Sequence, residues 1–163
     1  MTARHARNAP PQTEVTVLVS YGLPSNGLPQ AAAFQGWAAA AANGRRKAVE
    51  VSIHVVDTVE GQALNLKYRH KDYPTNVLSF PAELPAGVDV PLIGDLVLCA
   101  PVVAREAGDQ GKTLEQHYAH LTVHGVLHLL GYHHETVAEA RAMEAMEIQV
   151  LESIGIPDPY GAR

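Results

Sequence analysis

Two hydrophobic periods run through this chain, and the switches between them mark its elements. Residues 15–20 (VTVLVS) form a short β-branched run and predict a strand. Val49, Val51, Ile53 and Val55 share one side of a second predicted strand, with Glu50, Ser52 and His54 on the other, so His54 reads as exposed surface. Val77 to Pro81 and Ile93 to Cys99 predict two more, joined by an irregular stretch from Ala82 to Pro91. Between the strands the pattern becomes helical. Ala31 to Ala42 is alanine-rich, with Phe34 and Trp37 on one face. Asp57 or Thr58 can cap a helix that reaches Arg69, after which a polar loop runs to Asn76. Pro101 to Gly108 predicts a short helix, and Thr113 with Gln116 makes a capping box that opens a long one. That helix is apolar nearly all round from Ala119 to Leu130, which places it at the centre of the fold. A last helix is expected from about Thr136 to Ile154, with Val137, Ala140, Met143, Met146, Val150, Leu151 and Ile154 as its apolar stripe. Glu139, Glu144, Glu147 and Glu152 are expected on its solvated face. The pattern predicts a single domain with a small mixed sheet of about four strands, about five helices and a central buried, histidine-bearing helix.

The composition narrows this further. The chain has 163 residues, 47% of them apolar, which suits one globular domain. Residues 1–13, with Pro10 and Pro11, read as a flexible N-terminal tail ahead of a domain spanning 14–163. Cys99 is the one cysteine, so no internal disulfide can form; following Leu96, Val97 and Leu98, it reads as a buried, inert thiol. No apolar run approaches the ~20 residues of a membrane helix. No apolar stretch follows Arg4 and Arg7, as a secretory signal would require, so the cytoplasm is the expected location. A net charge of −5 argues against broad, non-specific nucleic-acid binding but leaves room for a local basic patch.

The candidate chemistry lies on the long helix. His124, His128 and His134 stand in the string HGVLHLLGYHH, which spells H-x-x-x-H-x-x-G-x-x-H. Histidines four apart on a helix face the same way, about 6 Å apart along the axis, and both can reach one ion at about 2.1 Å. Gly131 lets the chain leave the helix, so that His134 can return as a third ligand. Three protein ligands with a fourth position left for water are the count of a catalytic zinc site. His133 competes with His134 for the third place, and the interval after Gly131 favours His134. His120, His124 and His128 do not make an alternative trio, because the outer two lie about 12 Å apart along the axis. His117 and His120 are therefore expected to support the site, face substrate or serve the structure. The spacing is also that of the metzincin proteases, but the position that carries their glutamate is Gly125 here, which weakens a peptidase reading.

Several blocks together resemble the YbeY family of bacterial metal-dependent endoribonucleases. HGVLHLLGYHH is similar to that family's HGxLHLxGYDH, with His133 in place of the family's Asp. LNLKYRHKDYPTNVLSFP, LIGDLVLC, HLTVHG and the Asp158-Pro159-Tyr160 stretch fit as well, covering most of the chain from about residue 50 onward. The resemblance implies an α+β metallo-endoribonuclease domain with one zinc ion per chain at His124, His128 and His134. It implies cleavage of single-stranded RNA, in 16S ribosomal RNA 3′-end maturation and ribosome quality control. Ribosomal RNA and ribosomal or ribosome-assembly proteins are the implied partners. Arg69 stands at the family's functionally important arginine and is the candidate catalytic residue, expected to bind phosphate; its alternative is a surface ion pair with Asp72. Lys71, His133 and His120 are candidate substrate contacts, and Tyr68, Tyr73 and Tyr118 could stack bases or simply pack. Other function classes compatible with the string are a metallopeptidase-like hydrolase and a non-catalytic ribosome-assembly factor with structural zinc.

Overall fold

Four strands pair in the order β1-β2-β4-β3: β1 (Glu14–Tyr21), β2 (Ala48–Val56), β3 (Val77–Pro81) and β4 (Leu92–Cys99). The structure, a computed structural model, describes residues 12–161. β1, β2 and β4 run parallel, and β3 joins β4 antiparallel at the edge. Parallel neighbours need a crossover, and helix α1 (Ala31–Ala42) supplies it between β1 and β2. The other helices are α2 (Thr58–Arg69), α3 (Ala100–Asp109), α4 (Leu114–Leu129) and α5 (Val137–Ser153). The α+β single domain that the family resemblance implies is therefore what the chain forms. Residues 1–11 of the expected tail lie outside the described residues. Thr13, assigned to that tail, is tied down: its hydroxyl donates to the carbonyls of Ala42 and Arg46 and accepts from the Gly44 amide.

The period-two alternation of β2 sorts the sheet into two layers of contact. Val49, Val51, Ile53 and Val55 meet Leu96 and Leu98 of β4 and the helices α1, α4 and α5 in the main core. Phe34 anchors it, edge-on to Trp37 and to Tyr118. Each such fully buried side chain contributes roughly 1.5–3 kcal/mol by leaving water. On the opposite face Val56, Leu78, Val97, Cys99 and Val102 form a second cluster against Leu64 of α2. Cys99 is 1% exposed, and burial pushes its thiol pKa up, which agrees with an inert thiol.

Two glycines mark close approaches, one between helix and sheet and one between neighbouring strands. A side chain on Gly125 would meet Leu96 Cδ2 at 2.6 Å, so α4 lies directly on β4. Gly94 has φ +144°, and a Cβ there would collide with the backbone carbonyl of Phe80 as well as approach Leu129. Both capping boxes, at Thr113 and Gln116 and at Thr136 and Glu139, are formed and fix where α4 and α5 begin. The stripe expected on α5 holds for Met143, Val150 and Leu151, which are buried, whereas Val137 and Ile154 at its ends project beyond the core and are exposed. Among the described residues no helix is long and apolar enough to cross a membrane.

Candidate metal centre

Helix α4 presents His124 and His128 on one side of its last two turns, each half-buried. After Leu129 the chain unwinds: Gly131 takes φ +103°, the Gly131 amide donates to the His128 carbonyl, and the Tyr132 amide donates to the Leu127 carbonyl. This reversal brings the following residues back beside the helix. The His134 ring centroid then lies 5.3 Å from that of His124 and 5.7 Å from that of His128. Two imidazoles bound to one tetrahedral ion at about 2.1 Å would have centroids about 5 Å apart. His133 packs edge-on against His128 alone of these rings, at 5.8 Å. Of the two, His134 is the one whose ring meets both helix histidines. Among the described residues no three His, Cys, Asp or Glu side chains stand in an arrangement that would hold a metal ion. His134 is an exposed loop residue, so its ring can turn without disturbing the core.

The near nitrogens of the helix histidines are occupied. His128 Nδ1 donates to the Tyr132 carbonyl at 3.2 Å, and His124 Nδ1 donates to Glu147 Oε2 at 2.9 Å. Both hydrogen bonds leave Nε2 as the lone-pair nitrogen on the outward end of each ring. Burial pushes the His128 pKa down; its bond to the carbonyl opposes this, and the rings of His124, His134 and His133 add to the lowering. A neutral imidazole is the form that can ligate a metal.

Glu147 is the residue that sequence reasoning misplaced. Expected on the solvated face of α5, it is 1% exposed and accepts from His124, His120 and Tyr160. Burial pushes its carboxyl pKa up, but the hydrogen bonds from His120, His124 and Tyr160 outweigh that and hold it at about 2. A signal was present in the sequence. Glu147 follows the buried Met143 by four positions and precedes the buried Val150 and Leu151 by three and four, so helical periodicity places it inward.

The remaining candidates sit apart from the trio. His120 Nε2 donates to Glu147 Oε1 at 2.7 Å, and its side chain is 12% exposed along a cavity of about 490 Å³ shared with His117 and Tyr160. Arg69 ends α2, where His70 adopts the left-handed conformation and Asn65 pins the next loop through the Tyr73 carbonyl. Its guanidinium donates to the Ser79 carbonyl of edge strand β3 at 2.8 Å and lies over the Phe80 ring. Asp72 instead accepts from Gln62, so the alternative ion pair for Arg69 does not form. The cavity that Arg69 lines, about 590 Å³, has His54 and Asp95 on its floor and does not include the histidine trio. His54, expected as plain surface, is held there by Ser20 at 2.7 Å and Asp95 at 3.0 Å, its ring half-exposed. Lys71 and His133 are exposed. Tyr118 is wholly buried and unable to stack a base, whereas Tyr68 and Tyr73 are about half exposed.

The family profile of Endoribonuclease YbeY matches residues 30–155. The chain belongs to that family. It is 62% identical over 148 residues to Endoribonuclease YbeY of Stenotrophomonas maltophilia strain K279a, covering 88% of this chain and 92% of that one. It is 60% identical over 148 residues to the Xanthomonas axonopodis pv. citri protein of the same name, with the same coverage. The Xylella fastidiosa protein of that name is 55% identical over 150 residues, covering 90% and 93%. The solution structure of TM1509 from Thermotoga maritima matches with a TM-score of 0.57 at 23% identity, over 85% of this chain and 91% of that one, a likeness of fold. Membership makes this chain a nuclease-type hydrolase with RNA as substrate. It also sets aside the peptidase reading, for which Gly125 gives a physical reason: a glutamate there would be driven into Leu96.

Proposed function

We propose that the chain is a zinc-dependent endoribonuclease specific for single-stranded RNA, acting in the cytoplasm in 16S ribosomal RNA 3′-end maturation and ribosome quality control. Ribosomal RNA and ribosomal or ribosome-assembly proteins are its partners in this reading. One observation supports the metal above the others: two helix histidines have their near nitrogens tied off by Glu147 and the Tyr132 carbonyl, with a third ring beside both. His124, His128 and His134 would hold the ion, one per chain. When bound, zinc supplies Lewis acidity toward water and a phosphodiester oxygen.

The chain's own residues supply the rest. Glu147 and the Tyr132 carbonyl orient two of the ligand rings. Arg69 meets backbone carbonyls and, among the described residues, forms no ion pair, so its charge stays available for a phosphate and for charge that builds on it in the transition state. Lys67, over the Tyr68 ring, and the exposed Lys71 extend that positive edge along α2 and its loop. His133 stands at the rim of the trio, within reach of a bound strand.

The reading is tested by giving the purified protein labelled single-stranded and duplex RNA, with and without a chelator. Cleavage of the single strand alone, lost on chelation and restored by zinc, is the expected result. Arg69→Ala should keep its zinc and lose about 100-fold in cleavage rate. A protein that purifies without metal and cleaves at full rate would sink the reading.

A further inference from the structure

The Asp158-Pro159-Tyr160 stretch lies beyond α5, yet it reaches the metal centre. Asp158 Oδ1 accepts from the Tyr160 amide at 2.8 Å, closing a turn that carries the Tyr160 ring back over α4. That ring meets the His120 ring edge-on at 5.2 Å. Its hydroxyl donates to Glu147 Oε1 at 2.6 Å and lies 3.0 Å from His120 Nε2. One oxygen of the buried carboxylate is thereby fixed by two partners, while the other accepts from His124 Nδ1. A glutamate side chain has three rotatable bonds, but a carboxylate is flat. Holding one oxygen from two directions therefore sets where the other points.

We propose that Tyr160 is a positioning residue: together with His120 it locks the Glu147 carboxylate so that its second oxygen keeps His124 in the Nδ1–H tautomer, with Nε2 turned toward His134 and His128. The assignment rests on reading the trio as metal ligands. It gives the Asp-Pro-Tyr stretch a task at the site that acts through Glu147. Removing the Tyr160 hydroxyl leaves Oε1 with His120 alone, and the carboxylate gains freedom to swing. His124 then loses its fixed acceptor, and its two tautomers come closer in energy.

The test uses the full chain with ¹⁵N-labelled histidine, without and with zinc. Long-range nitrogen–proton spectra of the metal-free protein report the His124 tautomer, and competition with a chelator reports zinc affinity. Tyr160→Phe keeps the ring and its packing, so the melting temperature should stay close to wild type. Its His124 signals should shift toward a tautomer mixture, and zinc affinity should fall about threefold to tenfold, less than for a residue that touches a ligand directly. Glu147→Gln should cost about 10- to 100-fold in affinity; if it fails to fold, Tyr160→Phe decides alone. A Tyr160→Phe protein with wild-type His124 signals and wild-type zinc affinity overturns the proposal. Should wild type bind no zinc, the ligand reading fails, while the tautomer spectra of the metal-free proteins still decide whether Tyr160 positions His124.

Discussion

Helix α4 carries four histidines along one side, and its two halves use them in opposite ways. In the first half, His117 and His120 spend the far nitrogen, Nε2, on Glu106 and Glu147, and their Nδ1 atoms are buried without a partner among the described residues. In the second half, His124 and His128 spend the near nitrogen on Glu147 and the Tyr132 carbonyl. Residue type and helix face are the same; what differs is which end of the ring is engaged. A ring anchored by Nδ1 keeps its Nε2 end for a ligand, and a ring anchored by Nε2 is part of the scaffold. The difference lies in where the acceptors stand: Glu106 of α3 meets the far nitrogen of His117, the loop after Gly131 meets the near nitrogen of His128, and Glu147 of α5, between His120 and His124, takes the far nitrogen of one and the near nitrogen of the other.

The sharpest way to break this comparison is to truncate one histidine from each half. His128→Ala should lose at least about 100-fold in zinc affinity, with zinc content by mass spectrometry falling to near none, and a melting temperature little changed in the metal-free state. His117→Ala should do the reverse. It removes a buried hydrogen bond and leaves a hole, so chemical denaturation should show a loss of about 2–3 kcal/mol while zinc content stays at that of wild type. If His117→Ala loses zinc as completely as His128→Ala, the division of the helix into scaffold and site is wrong.

A pH series sharpens the comparison with a smaller effect. Burial pushes the His117 pKa down, and although Glu106 opposes it, the net shift is downward; Lys112 and His120 add to the lowering. The unfolded chain then takes up a proton near the ordinary value of about 6.5, before the folded chain does. The resulting stability is complete above that value and is lost as pH falls through it toward the depressed folded value. Unfolding free energies at pH 7.5 and 5.5 should therefore differ less in His117→Gln than in wild type. Part of the slope should remain, because the His128 pKa is lowered as well. The smallest effect concerns Tyr118, next to His117, whose hydroxyl is buried without a partner among the described residues and whose pKa burial raises to about 12. Tyr118→Phe should be neutral or stabilising by up to about 1 kcal/mol in the same unfolding assay. A clear loss of stability would mean that this hydroxyl has a partner.

These two halves also show how much could be read in advance. The spacing of His124, His128 and His134 around Gly131 was legible because helix geometry and a glycine turn are local, and every residue involved lies within one short string. The capping boxes and the alternation of β2 were legible for the same reason. Glu147 was less legible, because its charge points to solvent while the period of Met143, Val150 and Leu151 marks its face as buried. The Ser20–His54–Asp95 chain was beyond reach for a different reason. It depends on three strands coming together in the order β1-β2-β4 with Ser20 directly beside His54, and no local pattern carries that register. Arg69 was recognised by likeness to a family, and its perch on the Ser79 carbonyl and the Phe80 ring followed from the edge position of β3.

Gly94 carries a caution for anyone who surveys variants of this chain. With its left-handed backbone and the Phe80 carbonyl where a side chain would go, it should refuse every other amino acid. A deep mutational scan scored on growth would flag that intolerance as strongly as it flags the histidines. The cause at position 94 would be crowding between two neighbouring strands, so a map of forbidden substitutions would outline the places where backbones touch as well as any place where chemistry is done.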